Sequence, residues 1–247
     1  TPTEGPSSGQ IRTIQVVIGQ RRTAAVAELP VKAARFVPAP PGADLEARVH
    51  DLVRWMGSDH KRTMDPVVVS ALSHYQFETL HPFHDGNGRI GRLLIVLQLY
   101  ANGTLSEPTL TVSPWFEARR TEYYDRLLAV SCAGEWDPWV SFFAQGLEES
   151  AQTTHGQMLQ LVEVQSRLKD AVRSSSLRAD SAHTLVDYAV AHPSFTVRQV
   201  ERDLGLSYGR ANGLVAQLVD LGVLAATDET YRRRFFAPDV LDVLLNT

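Results

Sequence analysis

The chain reads as mainly α: a helical bundle with a small β-hairpin at its edge, then a smaller domain ordered helix, turn, helix, hairpin. Three observations carry this. From Asp44 to about residue 150, apolar residues recur at three- and four-residue spacing, the helical period. β-Branched residues gather in one run, "RTIQVVIG" at 12–19, which stops at a glycine. Past the Ser-rich break "RSSSLRADS", short apolar segments alternate with turn residues.

Residues 1–43 form the lead-in and the hairpin strands. "TPTEGPSSG" is too rich in Pro, Gly and Ser to hold regular structure, and 12–19 is the first strand. Residues 21–42 are a ragged return closing on a Pro cluster. Residues 44–150 are the core helices. Asp44 is placed to cap a helix whose stripe is Leu45, Val49, Leu52, Val53 and Met56. Pro66 opens a second helix running to about Leu80. A third runs from Gly88 or Arg89 to Tyr100, ended by Gly103, and its "LLIVLQLY" predicts burial on most sides. "SPWFEARRTEYYDRLLAV" and "DPWVSFFAQGLEES" give further amphipathic helices. Residues 151–180 read as a connecting helix and linker. In 181–247, Val197, Val200 and Leu204 mark one short helix, and Ser207 caps the next, which runs through Ala211, Leu214, Val215, Leu218 and Val219 to Gly222. A hairpin turning near Asp228 completes a winged-helix layout.

Composition narrows the function. A net charge of −4 over 247 residues gives no global attraction to nucleic acid or to a membrane surface. No apolar run approaches the length of a membrane span. Cys132 is the only cysteine, which rules out an intrachain disulfide and suits a reducing, cytoplasmic setting. The sequence has no initiator Met, so an upstream segment removed by trimming is expected.

Residues 81–92, "HPFHDGNGRIGR", concentrate the chemistry. "GNG" admits backbone conformations in which successive N–H groups converge on an anion, and the helix that follows points its positive end at the same spot. Arg89 and Arg92, one turn apart, make a fork for phosphate oxygens. Asp85 would repel an anion there unless a divalent cation, Mg²⁺, sits between them. His81, at the end of the preceding helix, can take a proton near neutral pH. His84 spaced from His81 as "HxxH" finds no third ligand at zinc spacing and reads as a solvated loop residue, with Phe83 as the loop's core anchor. Base, acid, nest, helix start and arginine fork together describe a polyphosphate cradle.

The stretch resembles the signature of the Fic (filamentation induced by cAMP) family, HPFx[D/E]GNGRxxR, with every specified position filled. Its surroundings are similar too: "IRTIQVVIG" and "FVPAPP" before it, "HYQFETL" leading in, and "EWDPWVSFF" after, over roughly residues 10–150. The resemblance implies a Fic-type helical bundle that transfers AMP from ATP to a hydroxyl of a protein, releasing pyrophosphate. It implies His81 as the base, Asp85 as the Mg²⁺ ligand, and Gly86, Asn87, Gly88, Arg89 and Arg92 around the phosphates. Tyr123 or Tyr124 would line the adenine pocket. Residues 12–38 would be the flap along which a target segment pairs, and self-modification or a homodimer would be in keeping. The family's inhibitory pattern, [S/T]xxxE[G/N], is not matched: "SPWFEA" ends in Ala, and Glu4-Gly5 lacks the helical context, so inhibition is expected from an upstream segment or a partner chain.

The competing readings are a nucleotide-sensing transcriptional regulator that uses the winged helix, and a Fic enzyme that uses another nucleotide or removes AMP. Residues 181–247 hold six basic against eight acidic residues, so protein docking is preferred to DNA for the tail. The imidazole at 81 favours transfer, because sensing needs no base.

Overall fold

The computed structural model describes residues 9–20, 29–60, 63–175, 177, 180–227 and 233–245, in two units, Thr1–Ala151 and Gln152–Thr247. In the first unit, β1 (Ile18–Gln20) and β2 (Ala34–Phe36) pair antiparallel, Ile18 opposite Phe36 and Gln20 opposite Ala34, with the short α1 (Pro30–Ala33) before β2. The expected strand over 12–19 is therefore mostly not a strand. Arg12 and Gln15 instead send side chains to carbonyls of other segments, including Gln15 Nε2 to Pro38 O at 3.0 Å, which takes this stretch off a regular ladder.

Helix α2 (Ala43–Met56) starts one residue before Asp44, with Gly42 at its N-cap and no side-chain cap. Asp44 pairs with Arg48 at 2.9 Å instead. Leu45 and Leu52 are buried, but Val53 is 64% exposed, a rotation of one residue off the packed stripe. Helix α3 (Pro66–Leu80) has the expected bounds, because Asp65 accepts the Val67 N–H at 2.8 Å and Pro66 fits the first turn. Helix α4 (Asn87–Ala101) begins earlier than expected and is not buried all round: Leu93, Leu97 and Tyr100 face outward. Its contacts with α3 are made by the opposite face, which carries Gly91, Ile95 and Leu99. Arg119 breaks the next expected helix into α5 (Ser113–Ala118) and α6 (Arg120–Ala133), and α7 (Trp136–Ser174) follows.

Two apolar clusters fill this unit. Ala71, Tyr75, Ile95, Phe116, Tyr123, Trp139 and Phe143 belong to one, where Trp139 Nε1 donates to Ala71 O at 3.1 Å. Leu45, Leu52, Phe77 and Leu80 form the other, against which Phe83, Ile90 and Leu94 pack. The second cluster is the floor of the 81–92 loop.

The second unit uses the rest of α7, then α8 (Asp180–Ala191), α9 (Val197–Asp203), α10 (Tyr208–Asp220), β3 (Ala225–Ala226), β4 (Phe235–Phe236) and α11 (Pro238–Leu245). Val164, Leu168 and Val172 of α7 are buried in its core beside Leu185, Val200 and Leu218, so much of 151–180 is structural and not a linker. Thr196 and Gln199 cap α9 reciprocally, and Ser207 caps α10 as expected. β3 and β4 pair antiparallel; the expected turn near Asp228 lies outside the described residues. Among the described residues no helix is long and apolar enough to cross a membrane.

Candidate active site

The site is built where α3 ends and α4 begins. His81 is the C-cap of α3 at φ 48° and ψ 60°, the only described non-glycine residue with positive φ. One buried side chain, absent from the sequence-based site, holds this turn. Arg12 is 1% exposed and spends its guanidinium on carbonyls: Nε to His81 O at 2.9 Å, Nη1 to Ile14 O at 3.2 Å, and Nη2 to Leu80 O at 3.4 Å and to Ala39 O. Its own N–H donates to Pro82 O at 2.8 Å. A cation among carbonyls at a helix C-terminus is electrostatically favoured. The one signal for it in the sequence is a lone arginine in an apolar, β-branched run.

Beyond His81, Pro82 is buried, Phe83 sits on the apolar floor, and His84 is exposed as expected. Asn87 is buried and clips the loop: its Oδ1 accepts the Phe83 N–H at 2.9 Å and its Nδ2 donates to Phe83 O at 2.7 Å. Most of its side-chain capacity is thus taken by the loop itself, which makes it a positioning group before it is a phosphate ligand. Gly86, at φ 81°, is the N-cap of α4, and a side chain there would be strained.

The Asp85 side chain is 93% exposed; Oδ1 accepts the Gly86 N–H at 2.7 Å and Oδ2 lies 3.3 Å from Arg89 Nη2. Arg89 folds back over Gly86, and Arg92 folds back over Gly88 while its Nε donates to Ser113 Oγ at 3.1 Å. Both guanidiniums therefore lie toward the N-terminal end of α4, beside its unpaired N–H groups. The structure brings His81, Asp85, Gly86, Gly88, Arg89 and Arg92 to the junction where α3 ends and α4 begins.

The two tyrosines separate. Tyr123 is 5% exposed, and its hydroxyl meets His74 Nε2 at 2.8 Å inside the aromatic core. It cannot line a nucleotide pocket, because helical spacing turns it into the core while its neighbour is only partly buried at the core's edge. Since His74 Nδ1 lies 3.1 Å from Gly91 O, which only accepts, that nitrogen carries the proton and Nε2 accepts from Tyr123. Burial pushes His74 down to about 4, so it stays neutral. Tyr124 does reach a cavity, of about 30 Å³, lined by Ile18 of β1, Arg35 and Phe36 of β2, Glu78 and Thr79 from α3, and Leu127, Leu128 and Ser131 from α6. That volume holds about one water and no purine.

The second residue missed from sequence is Glu78, a turn before His81. It is buried; burial pushes its carboxyl up to about 7, against an opposing pull from Arg92. Burial also lowers His81, partly offset by the Glu78 carbonyl, with Arg12 adding to the lowering. A neutral imidazole beside a helix N-terminus can accept a proton from a hydroxyl.

Residues 4–99 match the Fic/DOC family. The chain is 34% identical over 151 residues to "Protein adenylyltransferase fic-1" of Caenorhabditis elegans, covering 61% of this chain and 25% of that protein. It is 35% identical over 114 residues to "Protein adenylyltransferase Fic" of Drosophila melanogaster, covering 46% and 22%. The chain thus spans about a quarter of the length of the curated relatives it matches. A solved Fic family protein from Desulfovibrio desulfuricans G20 aligns with a TM-score of 0.49 and 21% identity, over 96% of this chain and 64% of that one.

Proposed function

We propose that this Fic domain is a protein adenylyltransferase, moving AMP from ATP to a hydroxyl side chain of a target protein or of itself. The observation that carries the reading is the neutral imidazole of His81 beside an α4 N-terminus over which two guanidiniums fold. The acceptor oxygen attacks the α-phosphorus and its proton passes to His81. The bond from that phosphorus to the bridging oxygen breaks, and pyrophosphate leaves with the electron pair. Such a transfer depends on positioning and charge stabilisation more than on covalent help.

In this scheme the backbone N–H groups of Gly86, Asn87 and Gly88 receive the inner phosphates, and Arg89 and Arg92 the outer ones. Asp85 fits Mg²⁺: its carboxylate is solvent-facing, and this ion takes few protein oxygens, keeping its other places for water and phosphate. When bound, Mg²⁺ would neutralise phosphate charge at Asp85. Tyr124, and not Tyr123, is the tyrosine we assign to the nucleoside side, and a purine there requires the β1–β2 flap to shift. The flap edge suits main-chain pairing with an extended target segment. The exposed thiol of Cys132 supports a reducing, cytoplasmic compartment. We read the second unit as a winged helix, which its helix order and β3–β4 pair support, and prefer protein docking to DNA for it because residues 181–247 hold six basic against eight acidic residues.

The test is intact mass after incubation with Mg²⁺ and ATP, GTP, CTP or UTP, alone and with lysate proteins. A gain of one AMP from ATP is expected, and H81A should lose transfer by about 10²-fold or more while still binding ATP. Transfer by H81A at the parent rate would remove the base assignment.

A further inference from the structure

We propose that Glu78 is the positioning residue of His81: its carboxylate accepts the Nδ1 proton of the imidazole, leaving Nε2 bare for the acceptor hydroxyl. The inference rests on the transferase reading and adds to it a group outside the 81–92 stretch.

Four observations support it. Glu78 and His81 lie three apart where α3 ends, and Glu78 Oε2 is 3.8 Å from His81 Nδ1, about one side-chain adjustment from a hydrogen bond. His81 Nδ1 and Glu78 Oε1 are both buried without a hydrogen bond of normal geometry among the described residues, although the Glu78 carbonyl also raises the proton affinity of the ring. Two such atoms on neighbouring groups are costly for stability alone. The packing also reserves room for the carboxyl. A Cβ on Gly91 of α4 would stand 2.5 Å from Glu78 Oε1, so the glycine leaves the space the carboxyl occupies.

Arg35 of β2, whose guanidinium pairs with Asp125, lines a cavity with Glu78. Arg92, from α4, favours an ionised carboxyl, and Arg12, from the N-terminal segment, disfavours an imidazolium. Tyr123 and His74 lie behind and are neutral. When the hydroxyl proton reaches Nε2, the imidazolium keeps its Nδ1 proton, and its new positive charge, together with Arg92, favours the ionised Glu78 against the burial that pushes its carboxyl up to about 7. The carboxylate then stabilises the new positive charge, the division of labour of a hydroxyl–imidazole–carboxylate triad. Catalytic hydrogen bonds are often long before substrate binds, which accommodates the 3.8 Å gap.

Two variants test this in the full chain. E78Q removes the charge but keeps an acceptor; E78L removes both at similar volume. Nitrogen-15 spectra of the His81 ring, in free protein, should show the Nδ1–H tautomer in the parent. They should show a lower His81 titration midpoint in both variants, and an Nε2–H population in E78L. With ATP, kcat should fall by about 10²-fold in E78L and less in E78Q, with KM for ATP within about threefold. Unchanged ring spectra and titration in E78L overturn the proposal whatever kcat does; they would mean that the Glu78 carbonyl or Arg12 sets the ring. Should the parent transfer nothing from ATP, the transferase reading falls, while the ring spectra still judge the Glu78–His81 pair.

Discussion

His81 occupies a backbone conformation that costs a non-glycine residue on the order of 1–3 kcal/mol, sustained only where neighbours over-determine it. Arg12 is the main such neighbour. Replacing it with lysine keeps the charge but leaves three donors for carbonyls that now share a planar fork. R12K should therefore lower thermal stability and reduce kcat more than it changes KM for ATP; parent-like values of both would show that the turn holds itself. The buried pair of His74 and Tyr123 makes a different prediction. The folded-state pKa of His74, about 4, lies below its ordinary 6.5, so between these values the unfolded chain binds more protons. Its stability contribution, up to about 3 kcal/mol, is present above pH 6.5 and lost as pH falls toward 4. Urea melts at pH 7.5 and 4.5 should show that loss, and H74Q should flatten it.

Two helix ends of opposite polarity meet at the site, the C-terminus of α3 and the N-terminus of α4. The first favours a cation and holds Arg12; the second favours an anion and receives the folded-back arginines. Their junction depends on Asn87, whose amide satisfies both backbone groups of Phe83. N87A should cost roughly 1–3 kcal/mol, the range for a buried polar group left unpaired. It should also speed hydrogen exchange at the Phe83 amide and slow transfer. Exchange at the parent rate would remove the clip. Sequence reading placed α3, and the glycines and arginines at the start of α4, because caps, glycines and charge spacing act within a few residues. It overestimated the burial of α4: "LLIVLQLY" records an apolar helix, but whether Leu93, Leu97 and Tyr100 are covered depends on what packs there.

At the scale of the whole chain, the 81–92 loop and both clusters near it lie within residues 1–151, while 152–247 has its own core. A fragment ending at residue 151 should fold and keep ATP-dependent transfer within about tenfold of the full chain, a window of ~1.4 kcal/mol. A cooperative melt and intact-mass labelling would check this. An unfolded fragment would show that the end of α7 is needed to close the first unit. Residues 81–92 alone carried the proposal of phosphate chemistry, with its candidate base and candidate metal ligand, because anion binding at a helix start is assembled from neighbours in the chain. Only tertiary structure decided that Arg12 holds the His81 turn from 69 positions away, that Tyr123 is core while Tyr124 faces a cavity, and that Glu78 stands behind the imidazole. These depend on which face of one segment meets another, and hydrophobic periodicity gives a helix its stripe without naming the partner that covers it.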